Sequence, residues 1–290
     1  MNYPKISIIT PSYNQGQYIE ETILSVIGQN YPNLEYIIID GGSTDNSVEI
    51  IKKYEKYLTY WVSEPDTGQS DAINKGFNIA SGDILGWLNS DDLYLPGTLL
   101  FVVQNLNHQK EELLFGNAIH IVEQTPFASG SPSTEWFHKL DISYIDYITQ
   151  PSSFWTKKAW EKAGNLRLNL HYALDWEWFI RAYRNGVQFI KKDKHLSVYR
   201  IHGEHKTSNG GEKRQQEILD IYKQYQSEQI YKLCETMNTN ATSITKVKQR
   251  IRKYKMSRIK NKALKLLFPK IYRNRADVTD AISIMLGIPL

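Results

Sequence analysis

The first 120 residues alternate short apolar runs with stretches of helical periodicity, and that alternation limits the possible folds more than any other feature. Residues 5–10 (KISIIT) form a β-branched run ended by Pro11, and residues 18–30 carry Ile19, Ile23, Val26 and Ile27 at helical spacing. A second run, residues 34–39, closes on Asp40-Gly41-Gly42, and residues 46–56 place Val48, Ile51 and Tyr54 on one helical side. A third strand is predicted over 59–63, a helix over 69–80 and a fourth strand over 83–88. A helix over 96–107, with Pro96 in its first turn, and a strand over 113–119 complete the series. Strands and helices in this order predict an α/β fold, a mostly parallel sheet with helices on both faces. Ligands of such sheets bind beyond the carboxyl ends of the strands. Polar residues collect at those ends: 10–14, 40–45, 64–68 and 89–92.

The second half is less regular. Residues 124–133 read as a loop, 156–163 and 175–185 as helices stopped by Gly164 and Gly186, and 187–190 and 196–201 as strands. From Gly211 the chain reads as helical and polar. The expected organisation is a domain over 1–210, with halves 1–118 and 119–210, and a helical, basic extension over 211–290.

Charge is divided unevenly. Between Lys246 and Arg275 there are thirteen Lys and Arg and no Asp or Glu, while the rest of the chain carries 22 basic and 31 acidic residues. The basicity therefore belongs to one segment, which argues against a nucleic-acid-binding face. That segment mixes its cations with Val247, Ile251, Tyr254, Ile259, Leu264, Leu266, Leu267 and Phe268. It reads either as a basic amphipathic helix for an anionic membrane surface or as a solvated appendage or oligomer contact. The lone cysteine, Cys234, allows no internal disulfide and reads as an ordinary helix residue; it fits a reducing, cytoplasmic setting. No run of eighteen apolar residues and no signal-peptide pattern is visible.

No G-x-G-x-x-G follows the first run, and no P-loop pattern or zinc-type Cys/His spacing occurs. The strongest chemical feature is Asn89-Ser90-Asp91-Asp92, where an apolar strand ends in two adjacent carboxylates. Such hard oxygen donors suit Mg²⁺ or Mn²⁺, and a cation there would offset the repulsion and hold a diphosphate. The competing reading is a helix N-cap by Ser90 or Asp91 ahead of Pro96. Asp40, before Gly41-Gly42-Ser43-Thr44-Asp45, reads either as an acceptor for a base N–H or as part of a turn that leads into a capped helix.

Two stretches, ISIITPSYNQGQYIEETILSVIGQNYPNLEYIIIDGGSTDNS and EPDTGQSDAINKGFNIASGDILGWLNSDD, resemble in order and spacing the family 2 glycosyltransferases, which have the GT-A fold. The likeness covers roughly the first hundred residues and is nearest to the branch that builds bacterial surface polysaccharides such as O-antigens. The resemblance implies that Thr10, Pro11 and Tyr13 line the nucleotide pocket and that Asp40 binds the base, most often uracil. It implies that Asp66, Gly68 and Asp71 lie near base, ribose and diphosphate. Asn89, Ser90, Asp91 and Asp92 match the acidic motif, with Asp92 the direct metal ligand and Asp91 nearer the ribose. Asn89 stands where the family's D-x-D commonly opens with aspartate, which bears on metal affinity.

The same resemblance places a general base at Asp175, although Leu174 precedes it where many relatives have glutamate. Aromatic neighbours would partly desolvate that carboxyl and raise its basicity, and Trp176 and Trp178 offer flat faces for sugar rings. The alternative is a helix cap at Asp175 with both tryptophans in the core. The segment 150–155 resembles the stretch facing the acceptor, and 199–207 the loop closing over the diphosphate. There His202 is either a further metal ligand or a structural histidine, and Lys206 would neutralise phosphate charge. The implied partners are a nucleotide-diphosphate sugar and a saccharide or lipid-linked saccharide acceptor, with the enzyme on the inner face of the plasma membrane. Two other classes are a nucleotidyltransferase that makes the activated sugar, which lacks its Gly-rich basic loop here, and a degenerate nucleotide-sugar-binding scaffold.

Overall fold

The computed structural model describes residues 3–123, 128–130, 137–203, 206, 210–254 and 260–290. Parts of three segments singled out above lie outside the described residues: 124–127 and 131–133 of the loop, 204, 205 and 207 of the closing loop, and 255–259 of the basic stretch. The chain divides into two compact units, Met1–Thr134 with Ile148–His205, and Glu135–Tyr147 with Lys206–Leu290. The division thus falls at His205, not after residue 210, and residues 135–147 join the C-terminal helices. Hydrogen bonds account for this: Tyr222 donates to the Tyr144 carbonyl at 2.5 Å, and the Gln226 amide to Ser143 Oγ at 2.7 Å.

The first unit is built on a nine-stranded sheet. Strands β1 (Ile6–Ser12), β2 (Leu34–Asp40), β3 (Tyr60–Ser63) and β4 (Ile84–Trp87) pair in parallel in the order β3-β2-β1-β4. All seven residues of β1 and all four of β4 are buried, as covered parallel strands require. Helices α1 (Ile19–Ile27), α2 (Ser47–Lys53) and α3 (Gln69–Ile79) make the crossovers. Helix α3 lies close on β1, where a side chain at Gly76 would meet Ile9 Cγ2 at 2.4 Å.

The chain runs β1, β2, β3 to one side and then returns to place β4 on the other side of β1. That reversal is the switch point at which open α/β sheets form a crevice. Strand β4 pairs β1 only as far as Ile9, so Pro11 and Ser12 lie past the paired part on that side. A proline near the end of a central strand is tolerated there.

The sheet is mixed beyond β4. Antiparallel β8 (Ser153–Thr156) separates β4 from β6 (Glu112–Val122), β7 (Ala128–Gly130) pairs β6, and β5 (Leu93–Tyr94) pairs the long β9 (Gln188–Ile201). Strand β9 runs parallel to β6 and is continuous where two strands were expected. A bulge lies opposite Phe115–Ala118: Lys191 faces Phe115, yet His195 already faces Asn117. Helix α4 spans Thr98–Asn105 with Gly97 at its N-cap, so Pro96 precedes the helix instead of opening it. Helices α5 (Lys157–Ala163) and α6 (Leu174–Arg184) complete the unit.

The second unit holds α7 (Gly211–Tyr225), α8 (Glu228–Thr239), α9 (Ala241–Lys253), α10 (Lys260–Leu267), α11 (Pro269–Tyr272) and α12 (Ala276–Met285). Leu233, Cys234, Met237, Ile244, Ile271 and Ile282 are buried. Ser227 caps α8 by accepting from the Ile230 N–H. The buried Lys248 donates to the Pro289 carbonyl at 2.6 Å. Among the described residues no helix is long and apolar enough to cross a membrane.

Candidate active site

The acidic motif lies at the carboxyl end of β4, beside the crevice at the switch point. Leu88 donates its N–H to the Ile9 carbonyl, and the chain then turns away, with the Asp92 N–H donating to the Asn89 carbonyl at 3.1 Å. Thr22 of α1 holds this turn from below, its hydroxyl shared between the carbonyls of Ser90 and Asp92 at 2.9 and 2.8 Å. The residues after it form β5, not a helix start, and α4 begins only at Thr98. The helix-cap reading of Ser90 and Asp91 therefore fails.

Asp92 is buried, and Asp91 beside it is half-buried. Burial, and then the charge of Asp91, push the Asp92 carboxyl well above the usual carboxylate range, although the Arg200 N–H donates to its Oδ1 at 3.0 Å. Two carboxylates crowded in this way fit a divalent cation, since Mg²⁺-type sites commonly use one or two carboxylates and complete the shell with phosphate oxygens and water. The expected third ligand is arranged differently. His202 is buried, and its Nε2 lies 3.0 Å from Asp91 Oδ2, so it bonds the carboxylate itself. Among the described residues no three His, Cys, Asp or Glu side chains form a group that could hold a metal.

A set of residues that the sequence reading missed steadies this end of β9. The His202 ring packs on Tyr18 at 4.6 Å between centroids, and the Arg200 guanidinium lies 4.9 Å from the same Tyr18 ring. Arg200 also pairs with Glu21 at 2.5 Å, and Tyr18 donates to the Glu123 carboxylate at 3.0 Å. Asn89 accepts from the Gln69 amide at 2.8 Å, which ties the motif to the start of α3.

The segment before α3 is shaped by its own acids. Asp66 accepts from the Gly68 N–H at 2.8 Å, and Asp71 accepts from the Thr67 N–H at 3.0 Å. That hydrogen bond, then those with the Thr67 and Lys75 side chains and the Lys75 charge, hold Asp71 below its ordinary value against the effect of burial. Gly68 has φ +120°, which favours glycine, and a side chain there would meet His171 Nδ1 at 3.8 Å. Asn74 exchanges two hydrogen bonds of 2.9 Å with the Leu166 backbone, and Ser70 donates to the Leu170 carbonyl at 3.2 Å. Helix α3 thus brings the 66–71 segment against the loop that leads into α6.

Asp175 is half-buried at the second position of α6, one residue inside it. The N-cap is Ala173, so Asp175 is not the cap; its Oδ1 accepts from the Trp176 N–H at 2.8 Å. The helix is anchored two residues further on. Buried Glu177 pairs with Arg167 and Arg181, each at 3.0 Å, and Arg181 also donates to the carbonyls of Ala163 and Asn165.

Several expected roles need correction. Trp176 and Trp178 are core residues: both are buried, and Trp178 packs against Trp155, Trp160 and Phe179. They present no free face to a sugar. Thr10 is buried, its hydroxyl 3.1 Å from the buried Tyr36 hydroxyl, and Pro11 is buried beside Ile39, so neither side chain lines an open pocket. Tyr13, by contrast, is 60% exposed at the crevice rim. Asp40 is buried, and its carboxylate accepts four hydrogen bonds, from the N–H groups of Gly42 and Ser43 and the hydroxyls of Ser43 and Ser63. Three of these fall on Oδ2 and one on Oδ1, so the carboxylate holds the turn that follows β2 while Oδ1 keeps acceptor capacity. Asp45 accepts from the Ser47 N–H at 2.9 Å, while the N-cap of α2 is Asn46, whose side chain makes no cap bond. In the 150–155 segment, the Gln150 amide donates to the Trp87 carbonyl at 2.9 Å, so it buttresses the strand carrying the acidic motif. Lys206 is exposed and belongs to the second unit.

Comparison with known proteins agrees with this architecture. The fold is similar to that of the Pyrobaculum calidifontis mannosyltransferase PcManGT, solved with GDP-Man and Mn²⁺, with a TM-score of 0.63 at 17% identity over 99% of this chain and 87% of that one. The Staphylococcus aureus protein TarS, residues 1–349 with UDP-GlcNAc, gives 0.60 at 19% identity over 83% of this chain and 66% of that one. An uncharacterised glycosyltransferase of Mycobacterium tuberculosis is 44% identical over 92 residues, 31% of this chain and 35% of its own length. TuaG of Bacillus subtilis, provisionally named a teichuronic acid biosynthesis glycosyltransferase, is 42% identical over 94 residues, 31% of this chain and 36% of its own. The chain spans about a third of the length of these curated relatives. The family model for glycosyl transferase family 2 matches residues 7–164, which is more than half of the chain and takes in β2, β3, β4 and all of β1 but its first residue. The chain belongs to glycosyl transferase family 2.

Proposed function

We propose that this chain is an inverting glycosyltransferase that moves a sugar from a nucleotide-diphosphate donor, a UDP-sugar, to an acceptor hydroxyl in polysaccharide or glycolipid assembly. The observation that carries this reading is the buried Asp92 beside Asp91, held by the Arg200 N–H at the mouth of the switch-point crevice. A carboxyl kept in that place against its own desolvation has a use for charge. The nucleotide complexes of PcManGT and TarS support a nucleotide-sugar donor on this fold.

Within this reading, exposed Tyr13 stacks on the base. A base N–H exchanges on Asp40 for the hydroxyl of Ser43 or Ser63, and Gly68 with Asp66 and Asp71 shapes the wall along ribose and diphosphate. Asp92 and Asp91 would hold a divalent cation, Mn²⁺ or Mg²⁺, which supplies Lewis-acid stabilisation of the leaving diphosphate. His202 orients Asp91 through their hydrogen bond.

Asp175 takes the proton of the acceptor hydroxyl. The acceptor oxygen forms its bond to the anomeric carbon as the bond from that carbon to the diphosphate oxygen breaks. The transition state is oxocarbenium-like, and one in-line displacement inverts the centre. Glu177, locked between two arginines, keeps the first turn of α6 in place. The acceptor is a saccharide or lipid-linked saccharide, in keeping with the name of TuaG, and the cationic stretch from Lys246 to Arg275 supports a cytoplasmic enzyme at the inner membrane surface.

Calorimetric titration of UDP with and without Mn²⁺, repeated on Asp92→Ala, tests the donor site. Binding that needs the metal and disappears in the variant is expected. Metal-independent binding that Asp92→Ala leaves intact would remove Asp92 from the site. Donor binding with neither sugar transfer nor donor hydrolysis would favour the scaffold reading.

A further inference from the structure

A basic amphipathic helix meets a membrane through its apolar stripe, but in this protein that stripe is already used. Ile244 and Ile251 of α9, Leu264 of α10 and Ile271 of α11 are all buried. Lys248 is buried with them and is held by the Pro289 carbonyl. Apart from Tyr254, 65% exposed at the end of α9, what remains outside among the described residues is a corner. Leu266 and Leu267 end α10 with 78% and 56% of their surface exposed, and Phe268-Pro269 then turns the chain into α11. They are the only consecutive pair among the large exposed apolar side chains of the described residues.

Cations surround this pair. Lys262 lies one helical turn before Leu266, Lys265 precedes it directly, and Lys270 and Arg273 follow on α11 and just after it; all four are exposed. No acid occurs between Lys246 and Arg275, and the next one, Asp277, is paired with Arg275 at 2.5 Å. Two leucines protruding among exposed cations fit a partner with an anionic surface and an apolar interior directly beneath it. A bilayer containing anionic lipid has that layering, and lysine stems reach from acyl depth to headgroup phosphate. A folded protein partner would need a socket shaped for the corner and lined with acids.

We propose that Leu266 and Leu267 insert into the headgroup–acyl boundary of an anionic bilayer while Lys262, Lys265, Lys270 and Arg273 bind its phosphates. This inference rests on the placing of the enzyme at a membrane surface and not on the catalytic assignment, because it is read without donor or acceptor.

The test is co-sedimentation of the full chain with phosphatidylglycerol–phosphatidylcholine vesicles, with pure phosphatidylcholine as the control. Wild-type protein is expected to sediment with the anionic vesicles only, and to be released as salt screens the cations. Leu266→Ser with Leu267→Ser should lower partitioning by about tenfold or more, with an unchanged thermal melt because both side chains are exposed. A Lys262→Gln, Lys265→Gln, Lys270→Gln variant should lose binding similarly. Wild-type partitioning in the leucine variant would overturn the insertion site but leave electrostatic attraction. No wild-type binding would overturn the membrane placing as well, and self-association abolished by the leucine variant would identify a second copy as the occupant. UDP titration of the same samples separates any of these failures from failure of the donor site.

Discussion

Arg200 donates its backbone N–H to Asp92 Oδ1 at 3.0 Å across 108 residues of sequence, joining the end of β9 to the acidic motif. One oxygen of Asp92 is thereby occupied and the carboxyl has a fixed orientation. The bond lowers the proton affinity of Asp92 only partly, since burial and Asp91 outweigh it.

Asp92→Asn should therefore separate function from stability. A carboxyl whose folded-state value is raised favours folding while protonated. That contribution is complete below its ordinary value of 3.8 and is lost as pH rises through the raised value. In metal-free protein at pH 8 the isosteric amide is expected to raise unfolding stability by about 1–3 kcal/mol, while Mn²⁺-dependent UDP binding is lost. Denaturant curves at pH 5 and pH 8 check this: the gain should be larger at pH 8.

Asp175→Asn removes the proposed base without changing the shape of α6. Donor titration should be unchanged, and turnover should fall by about 10²–10⁴-fold. Near-normal turnover would take Asp175 out of the reaction.

Gly76→Ala tests the approach of α3 to β1. The added methyl would lie 2.4 Å from Ile9 Cγ2, on a central strand that cannot yield. The expected loss is about 1–3 kcal/mol in chemical denaturation; a neutral result would mean that α3 can slide.

Glu35 makes a second pH-dependent contribution, of opposite sign. Burial would raise its carboxyl, but hydrogen bonds from the Ser7 hydroxyl at 2.5 Å, the Ser81 hydroxyl at 2.6 Å and the Ser81 N–H at 2.7 Å, with the Lys5 charge, hold it below its ordinary value. This contribution is present above the ordinary value of 4.5 and is lost as pH falls through the depressed one. Glu35→Gln should cost about 1–3 kcal/mol at pH 7 and flatten the acid limb of the stability profile between about pH 5 and 3.

The parallel half of the sheet was legible because β1, β2 and β4 are apolar runs of strand length between polar turns, and their ends named the crevice. The other half hid for physical reasons. The two apolar residues of Ser153–Thr156 carry no periodic signal, and the strand exists only because β4 and β6 flank it. Leu93–Tyr94 is two residues long and looked like the approach to a helix. Strand β9 looks like two in the sequence because its middle, Lys191 to His195, is polar, and there it bulges away from β6. In the site, Asp91 and Asp92 announced themselves as adjacent charges. The Arg200 contribution did not, because a backbone N–H is the same in every sequence. The exposed Tyr13 and the buried Thr10 are three residues apart and could not be sorted without the end of β4. The Glu177–Arg181 pair, by contrast, stands at i and i+4 on a helix, a spacing visible in the sequence.

The bulge in β9 sets where this protein can change length. From Ser197 to Ile201 the strand pairs residue for residue with Ala118 to Val122, so adding or removing one residue there would turn the side chains beyond it to the opposite face and carry the Arg200 N–H away from Asp92. Residues 192–194 already lie in surplus opposite Gly116, so a residue gained or lost there would be absorbed before the register is set. Insertions and deletions between relatives should collect at that point, making it a buffer that lets the outer end of the sheet diverge while the spacing at the acidic motif stays constant.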